Sequence, residues 1–548
     1  MFDNENKEID INNLRATDLH YNTDVSMPGP VTFDEEMRFQ KDIAVKMAKK
    51  SKKHSNLDDQ EKEGLSNLKE KTKNEEVICF NTDKSGRWSI DSKENYKLAV
   101  EKHFVSGVRE ITCKEHDKLE NYLNCHMLAL LRMMGTNDGR NGDRIRIAST
   151  PSGCVIAPFY ALRKDHKNVE IGKEAEGPKT RGVCGARDCL TMRLSHVLSM
   201  ILKELVPHND THCDSTEDLL AEIETLNNTA EVNPRWKVGS LDIEALYPSL
   251  DISKCAEIIT KELYEGEITI KNIEWKEVML YLRYMWDDNK LRSKDLWEYT
   301  PMRRNARGRP PTFISSGSDL RKEERFKSWI FSEVEPDDGT KKWMFALAIG
   351  VLVYETITNH GYQYDSKIYK QEEGGAIGLE LVGVVAKVYM CWWDKQLIQR
   401  TSAENLHMEL YKRYEDDINL VVNDFKTDTT DKEVIERVSK IADLIDPSIR
   451  STFDYGSKYA DRRLPSLDLK LWIDKNQNGL WKMMHSHYMK DVSSRFLIHQ
   501  RSSHPSSMKF NVLVNEGLRI LRNVSMDLGS DESRQHLQYF VKRMQLSG

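Results

Sequence analysis

Tyr411-Lys412-Arg413-Tyr414-Glu415-Asp416-Asp417-Ile418-Asn419-Leu420-Val421-Val422 is the stretch that decides the fold. Two adjacent aspartates interrupt two apolar segments. Burying like charges side by side is costly unless a cation neutralises them. A tight hairpin between two strands would instead present both carboxylates at one sheet edge. Alone, such a pair is commonly just a solvated turn. A second segment sharpens it. In Leu241-Asp242-Ile243-Glu244-Ala245-Leu246-Tyr247-Pro248-Ser249-Leu250 an apolar strand ends in an acid, with an aromatic five positions on. Three carboxylates from two strand ends can hold two Mg2+ ions, the requirement for in-line nucleotidyl transfer. Between the two lies Gln371-Glu372-Glu373-Gly374-Gly375-Ala376-Ile377-Gly378, leading into an apolar stretch from Leu379 to Leu397. Glycines before a helix let backbone approach a phosphate or base pair closely. An ordinary helix cap would look the same.

Periodicity predicts strands at VICF, from Val77, and KVGSLDIEAL, from Lys237, with INLVV after Asp417. Cys189–Val206 and Leu379–Leu397 have helical spacing, and the tail from Lys509 reads as helix, with Val514, Leu518 and Leu521 on one face. The longest apolar run, Trp343–Tyr354, is too short to span a bilayer and reads as a buried helix. Nine scattered cysteines without a CxxC pair argue against a disulfide framework. His208, His212 and Cys213 have ligand-like spacing, but a polar loop explains them as well. The N-terminus has no apolar signal region, and Lys46–His54 carries five lysines and no acid, a nuclear address, a nucleic-acid arm or a solvated tail. The expected compartment is intracellular, with the nucleus favoured over the cytoplasm, and no membrane partner is expected.

Taken in order, these residues resemble the reverse transcriptase superfamily, and within it the telomerase-related Penelope-like retroelement branch. Asp242 with Tyr247 looks like the first palm motif, and Tyr414-Glu415-Asp416-Asp417 like the YxDD box. Gln371, Gly374, Ala376, Gly378, Ala386, Tyr389 and Met390 fit Q-x-x-G-x-A-M-G and the helix ending in A-x-x-Y-M, with Ile377 in place of the methionine. Asp83-Lys84-Ser85-Gly86-Arg87, Tyr160 to Lys167, Pro178 to Val183, Leu464 to Asp468, and Ser502 to Pro505 with Lys509 and Leu518-Arg519 resemble flanking motifs, so the resemblance runs from about residue 80 to 525. Glu415, Glu380, Val382 and Arg163 depart from the pattern.

The resemblance implies an α+β right-hand polymerase: fingers, a palm with an antiparallel sheet, and a helical thumb. Expected boundaries are a polar extension at 1–75, fingers at 76–235, a palm at 236–475 with an insertion around 265–360, and a thumb at 476–548. The implied activity is RNA-directed DNA polymerisation with two Mg2+ ions, Mn2+ being possible. Asp242, Asp416 and Asp417 are the implied catalytic and metal-binding residues. Tyr247 would lie beneath the incoming sugar and select deoxynucleotides. Lys164, Arg181, Gln371 and Gly374 are the dNTP-binding candidates. Tyr414, Gly378, His504 and Lys509 are the nucleic-acid-binding candidates. Lys458 or Lys470 would donate a proton to pyrophosphate. The partners would be an RNA template, a DNA primer, dNTPs and a separate endonuclease, since no GIY-YIG or RNase H stretch is recognisable. The alternative is a catalytically defective or domesticated copy that binds RNA. A B-family DNA polymerase would need a D-T-D box, and an RNA-dependent RNA polymerase a GDD box.

Composition fits this picture only when read locally. The whole chain of 548 residues has net charge −6. Residues 139–203 carry 12 basic and 6 acidic side chains, residues 455–548 carry 15 and 8, and the remainder is strongly acidic. An acidic centre between basic flanks suits a metal-dependent enzyme that clamps a duplex.

Overall fold

The computed structural model describes residues 8–10, 59–84, 88–134, 155–164, 178–186, 189–205, 211–266, 269–271, 273–286, 331–426, 429–490, 497–498, 502, 504–524 and 531–547. The lysine run at 46–54, His208, Ser85-Gly86-Arg87 and Asp165 to Lys167 lie outside them.

The chain is a mixed α/β body with largely antiparallel sheets. After a helix without buried residues, α1 (Asp59–Lys73), comes a hairpin of β1 (Val77–Asn81) and β2 (Trp88–Ser92). There follow α2 (Lys93–Glu101), β3 (Val108–Ile111), α3 (Cys113–Met133), β4 (Ala157–Arg163), β5 (Thr180–Cys184), α4 (Leu190–Lys203) and α5 (Thr216–Thr229). Next are β6 (Lys237–Ile243), the single turn α6 (Leu246–Ser249), α7 (Ile252–Glu265), α8 (Trp275–Trp286) and α9 (Asp338–Thr358). The hairpin β7 (Gly361–Tyr364) and β8 (Lys367–Gln371) leads to α10 (Glu380–Ala403). Then come β9 (Leu406–Tyr414), β10 (Asp417–Asp424), α11 (Asp431–Asp443) and β11 (Ser451–Tyr455). The end comprises β12 (Leu464–Ser466), β13 (Leu469–Lys475), β14 (Trp481–His487), α12 (Ser506–Arg522) and α13 (Asp531–Leu546).

Three sheets matter for the site. The central one has the order β9-β10-β6-β11, all antiparallel. A five-stranded sheet, β3-β8-β7-β4-β5, contains one parallel pair, β4 with β7. A small sheet, β12-β13-β14, follows the central one. Pleating explains how the central sheet is sided. Gly239, Leu241 and Ile243 of β6 are buried, while Asp242 between them is exposed. Leu241 and Ile243, with Ile418, Leu420 and Val422 of β10, enter the main core. Val421 faces the other way, into a second cluster with Trp236, Leu410, Leu471 and Met483.

Helix α11 covers the core face. Its Val434, Ile435, Val438 and Ala442 are buried, each larger one contributing roughly 1.5–3 kcal/mol. Thr430 and Glu433 form a capping box at its start. A Cβ at Gly239 would collide with Ile435, so this glycine sets how closely helix and sheet approach. Helix α9 contains the apolar run and is buried on nearly every side, with Phe345, Ile349 and Leu352 in the main core. No helix of the described residues is long and apolar enough to cross a membrane.

Two boundaries differ from the sequence reading. Strand β6 stops at Ile243 rather than continuing to Leu246, because Ala245 adopts φ 49° and turns the chain into α6. The helical tail is two helices, α12 and α13.

Candidate active site

The hairpin between β9 and β10 has a two-residue turn. Tyr414 pairs with Asp417, leaving Glu415 and Asp416 at the tip. Glu415 takes φ 53°, a left-handed conformation that costs a non-glycine residue about 1–2 kcal/mol. Two bonds hold this strained turn. Arg413 Nη1 donates to the Glu415 carbonyl at 3.0 Å, and the Ile243 N–H donates to the Asp416 carbonyl at 3.1 Å. The second bond stitches the turn to the end of β6.

Arg413 is itself anchored. Its guanidinium pairs with the Asp394 carboxylate of α10 at 3.0 Å, both side chains being buried. Tyr411 and Thr211 hydroxyls donate to the same carboxylate at 2.6 and 2.8 Å. The aspartates therefore stand on a buried ionic post, which the sequence reading missed.

Register brings the acids together. Asp417 of β10 is directly opposite Asp242 of β6. Opposed residues of an antiparallel pair point to the same face. Burial first, then Asp416 and Asp242, push the Asp417 carboxyl up to about 6, while Lys490 and Lys84 oppose the rise. Burial leads this rise, and the neighbouring acids add to it. Hard carboxylate oxygens in this arrangement fit Mg2+. Among the described residues, the trio of ligand atoms found within 4.8 Å of one another is His116, Asp117 and Glu120. Asp242, Asp416 and Asp417 are not drawn together that closely.

Tyr247 sits on α6, half-buried beside this cluster. Its hydroxyl donates to Glu415 Oε2 at 3.4 Å. Burial first, then Glu415 and Asp416, push that hydroxyl up, and Arg181 acts the other way. The glycine segment closes over it. The Gly375 N–H donates to the Tyr247 carbonyl at 2.8 Å. Gly374 has φ 67°, and a Cβ there would collide with the Pro248 carbonyl oxygen. Gly378 has φ 111°, and a Cβ there would collide with the Cys184 carbonyl oxygen of β5. Residues 374–378 thus bridge α6 and the five-stranded sheet, and substitution at either glycine meets backbone.

The other expected residues fall in varied places. Arg181 on β5 pairs with Asp83 at 3.4 Å and faces Tyr247 electrostatically. Lys164, after β4, donates its backbone N–H to Lys179 at 2.9 Å, and its charge acts on His103. Gln371 is buried and its side chain is engaged internally: it accepts from Tyr362 at 3.2 Å and donates to the Glu373 carbonyl at 2.5 Å. Tyr414 is half-buried at the end of β9. His504 and Lys509 lie at the start of α12, where both bond Ser502. Lys458 pairs with Asp454 at 3.1 Å and Lys470 with Asp461 at 2.5 Å. His212 pairs with Asp214 at 3.0 Å, and burial pushes the Cys213 thiol up to about 11. Glu380, a departure from the expected pattern, binds His196 at 2.9 Å and Lys203 at 2.7 Å, joining α10 to α4.

Lys490 was not singled out from sequence. It lines a cavity of about 160 Å3 with Ser240, Asp417, Pro465, Ser466, Leu467 and Tyr488. Burial, then Lys84, pull its ammonium down, while Asp417 and Asp242 raise it. The β12–β13 turn that forms one wall is fixed from two sides: Ser466 donates to Asn419 of β10, and Asp468 accepts from Thr216 at 2.6 Å and Asn523 at 2.9 Å. Its only sequence signal was the Leu464–Asp468 segment.

No protein-family model and no curated protein matches this chain. Solved structures are similar in outline. Apo telomerase from Candida tropicalis aligns over 94% of this chain and 76% of its own, with TM-score 0.40 and 11% identity. Telomerase from Candida albicans in complex with a TWJ fragment of telomeric RNA aligns over 90% and 74%, with TM-score 0.39 and 10% identity. The Candida tropicalis telomerase with the same kind of RNA fragment aligns over 84% and 59%, with TM-score 0.39 and 12% identity.

Proposed function

We propose that this chain is an RNA-directed DNA polymerase of retroelement type, similar to the Penelope-like branch. One observation carries the reading: β-sheet register sets Asp242 opposite Asp417, with Asp416 in the adjoining turn. In this reading the β9-β10-β6-β11 sheet is the palm, residues 76–235 belong to the fingers, and α12 and α13 to the thumb.

Asp242 and Asp416, with Asp417 beside them, would hold two Mg2+ or Mn2+ ions. Once bound, those ions supply activation of the primer 3′-hydroxyl and neutralisation of the leaving pyrophosphate. The chain's own residues do the positioning. Tyr247 lies under the incoming sugar, where an aromatic clashes with a 2′-hydroxyl. Arg181 and Lys164 would meet the triphosphate with charge-assisted hydrogen bonds. Gly374 and Gly378 let backbone approach the nascent pair. Gln371 holds the segment that carries them. Lys490 and Lys84 put positive charge beside the acids, where phosphate must pass. Tyr414, His504 and Lys509 contact the template–primer duplex. The partners are an RNA template, a DNA primer, dNTPs and a separate endonuclease.

The test is primer extension with Mg2+, comparing RNA with DNA templates and dNTPs with rNTPs. Asp416→Asn must abolish incorporation. A variant that extends like the parent sinks the assignment. The second reading, an RNA-binding scaffold without activity, is favoured by Glu415, an acid where small or apolar residues are usual. It requires salt-sensitive RNA binding with no incorporation under either metal.

A further inference from the structure

The acid at position 415 stands next to Asp416 and Asp417, where further negative charge should be unwelcome. The structure gives it two partners. Lys387 of α10 approaches Glu415 Oε1 at 3.4 Å, and the Tyr247 hydroxyl donates to Oε2 at 3.4 Å. Lys387 also donates to Asp214 at 3.1 Å, and Asp214 accepts from His212 at 3.0 Å. Glu415 is therefore the middle of a chain from an anchored lysine to the ring of Tyr247.

The rest of Tyr247 is already clamped. Its carbonyl accepts the Gly375 N–H, and Gly374 packs against the next carbonyl. Its ring packs against the main core, and at the far end its hydroxyl is held by Glu415. A ring whose hydroxyl is tied cannot swing aside to admit a 2′-hydroxyl. The left-handed backbone at Glu415 suits glycine better, so the side chain is present at a local cost in energy.

We propose that Glu415 is a positioning residue for sugar selection: held by Lys387, it fixes Tyr247 in the orientation that excludes ribonucleotides. This rests on the polymerase reading above and deepens it.

The experiment measures kcat/KM for a dNTP and the matching rNTP on one primer–template, with the full chain. Glu415→Ala should lower the dNTP/rNTP ratio about fivefold, the equivalent of one net hydrogen bond. Tyr247→Phe, which deletes one oxygen, should lower it as much. The double variant should go no further, since both remove the same contact. Glu415→Gln keeps an acceptor and should keep the ratio. Lys387→Met should lower the ratio, and Lys387→Arg should restore it. A general loss of packing would slow both nucleotides together and leave the ratio unmoved. A parent that incorporates neither nucleotide overturns both readings. A parent that extends, with ratios unchanged in Glu415→Ala and Tyr247→Phe, overturns this one alone. If Glu415→Ala does not fold, Tyr247→Phe decides.

Discussion

Removing Asp394 should undermine both the fold and the site, and the two effects can be separated. The Asp394 and Arg413 side chains are 0% and 1% exposed, so the pair is out of water. Asp394→Ala leaves a buried guanidinium without its counter-charge and orphans the Tyr411 and Thr211 hydroxyls. Breaking a buried pair on one side costs about 3–5 kcal/mol. Against a typical total of about 5–15 kcal/mol, that is roughly a fifth of the stability or more. Urea denaturation followed by tryptophan fluorescence reads it directly, through the midpoint. The double variant Asp394→Leu with Arg413→Met replaces the charges by apolar groups and should recover most of the loss. Activity should not return with it. Arg413 also donates to the Glu415 carbonyl, and no methionine can hold that strained turn. Primer extension by the double variant should therefore remain low while its midpoint approaches the parent's. An Asp394→Ala midpoint within about 0.5 kcal/mol of the parent refutes the ionic post. A double variant as active as the parent refutes the idea that the post holds the turn.

Three further outcomes follow from the same geometry. The Asp417 carboxyl is raised to about 6 in the folded state, against about 3.9 when unfolded, so between these values the folded chain keeps a proton that the unfolded chain has lost. Stability of the metal-free protein is then fully present below about pH 4 and falls as pH rises through about 6, by roughly 2–3 kcal/mol at most. Melts in chelator at pH 5 and 7.5 should show this slope in the parent and its absence in Asp417→Asn; equal slopes refute it. Gly374→Ala must displace the Pro248 carbonyl and adopt a left-handed backbone, so it should lose about 1–3 kcal/mol and slow incorporation, measured by urea midpoint and single-turnover extension. Lys490→Met removes a positive charge facing Asp417 and Asp242, so added Mg2+ should raise the melting temperature more than in the parent; a smaller rise refutes that placement.

The parts legible in sequence were those encoded in short-range periodicity. The alternation of β6, the apolar β10 and the long α10 could be read from residues two to four apart. The Asp416-Asp417 hairpin was legible only in company: the pair alone reads as a solvated turn, and the Asp242 strand and the glycine segment in the same order gave it meaning. What escaped was the set of long-range pairings. Arg413 looks like a polar flank of the box, and nothing local says that Asp394 of the preceding helix buries it. Lys458 and Lys470 are each paired with an aspartate close in sequence, and Lys490, which no local pattern singled out, acts on Asp417. The strand end at Ile243 escaped too. Ala245, like Glu415 and Leu467, takes a left-handed backbone where propensity would ask for glycine. Three non-glycine residues strained at the turns around one cavity and one acidic cluster are a local disagreement between sequence and fold. Glu75, Asp365, Ser366, Asn405 and Arg462 adopt the same conformation at other turns, so left-handed backbone alone does not mark the site.

The charge distribution acquires a physical meaning from these placements. Sequence bookkeeping left an acidic centre between two basic flanks, without saying whether the three ever meet. Arg181 comes from the first flank and faces Tyr247; Lys490 comes from the second and faces Asp417. Lys84 adds a third cation from the N-terminal hairpin region. Opposite charges this close, in a partly buried site, are weakly screened by salt. Asp417 stays raised despite both lysines, through burial first and its neighbouring acids second. A site left with surplus negative charge attracts divalent cations, while the cations around its rim attract phosphates. The proposed nucleotidyl transfer needs both attractions together, and the net charge of −6 over the whole chain hides their separation.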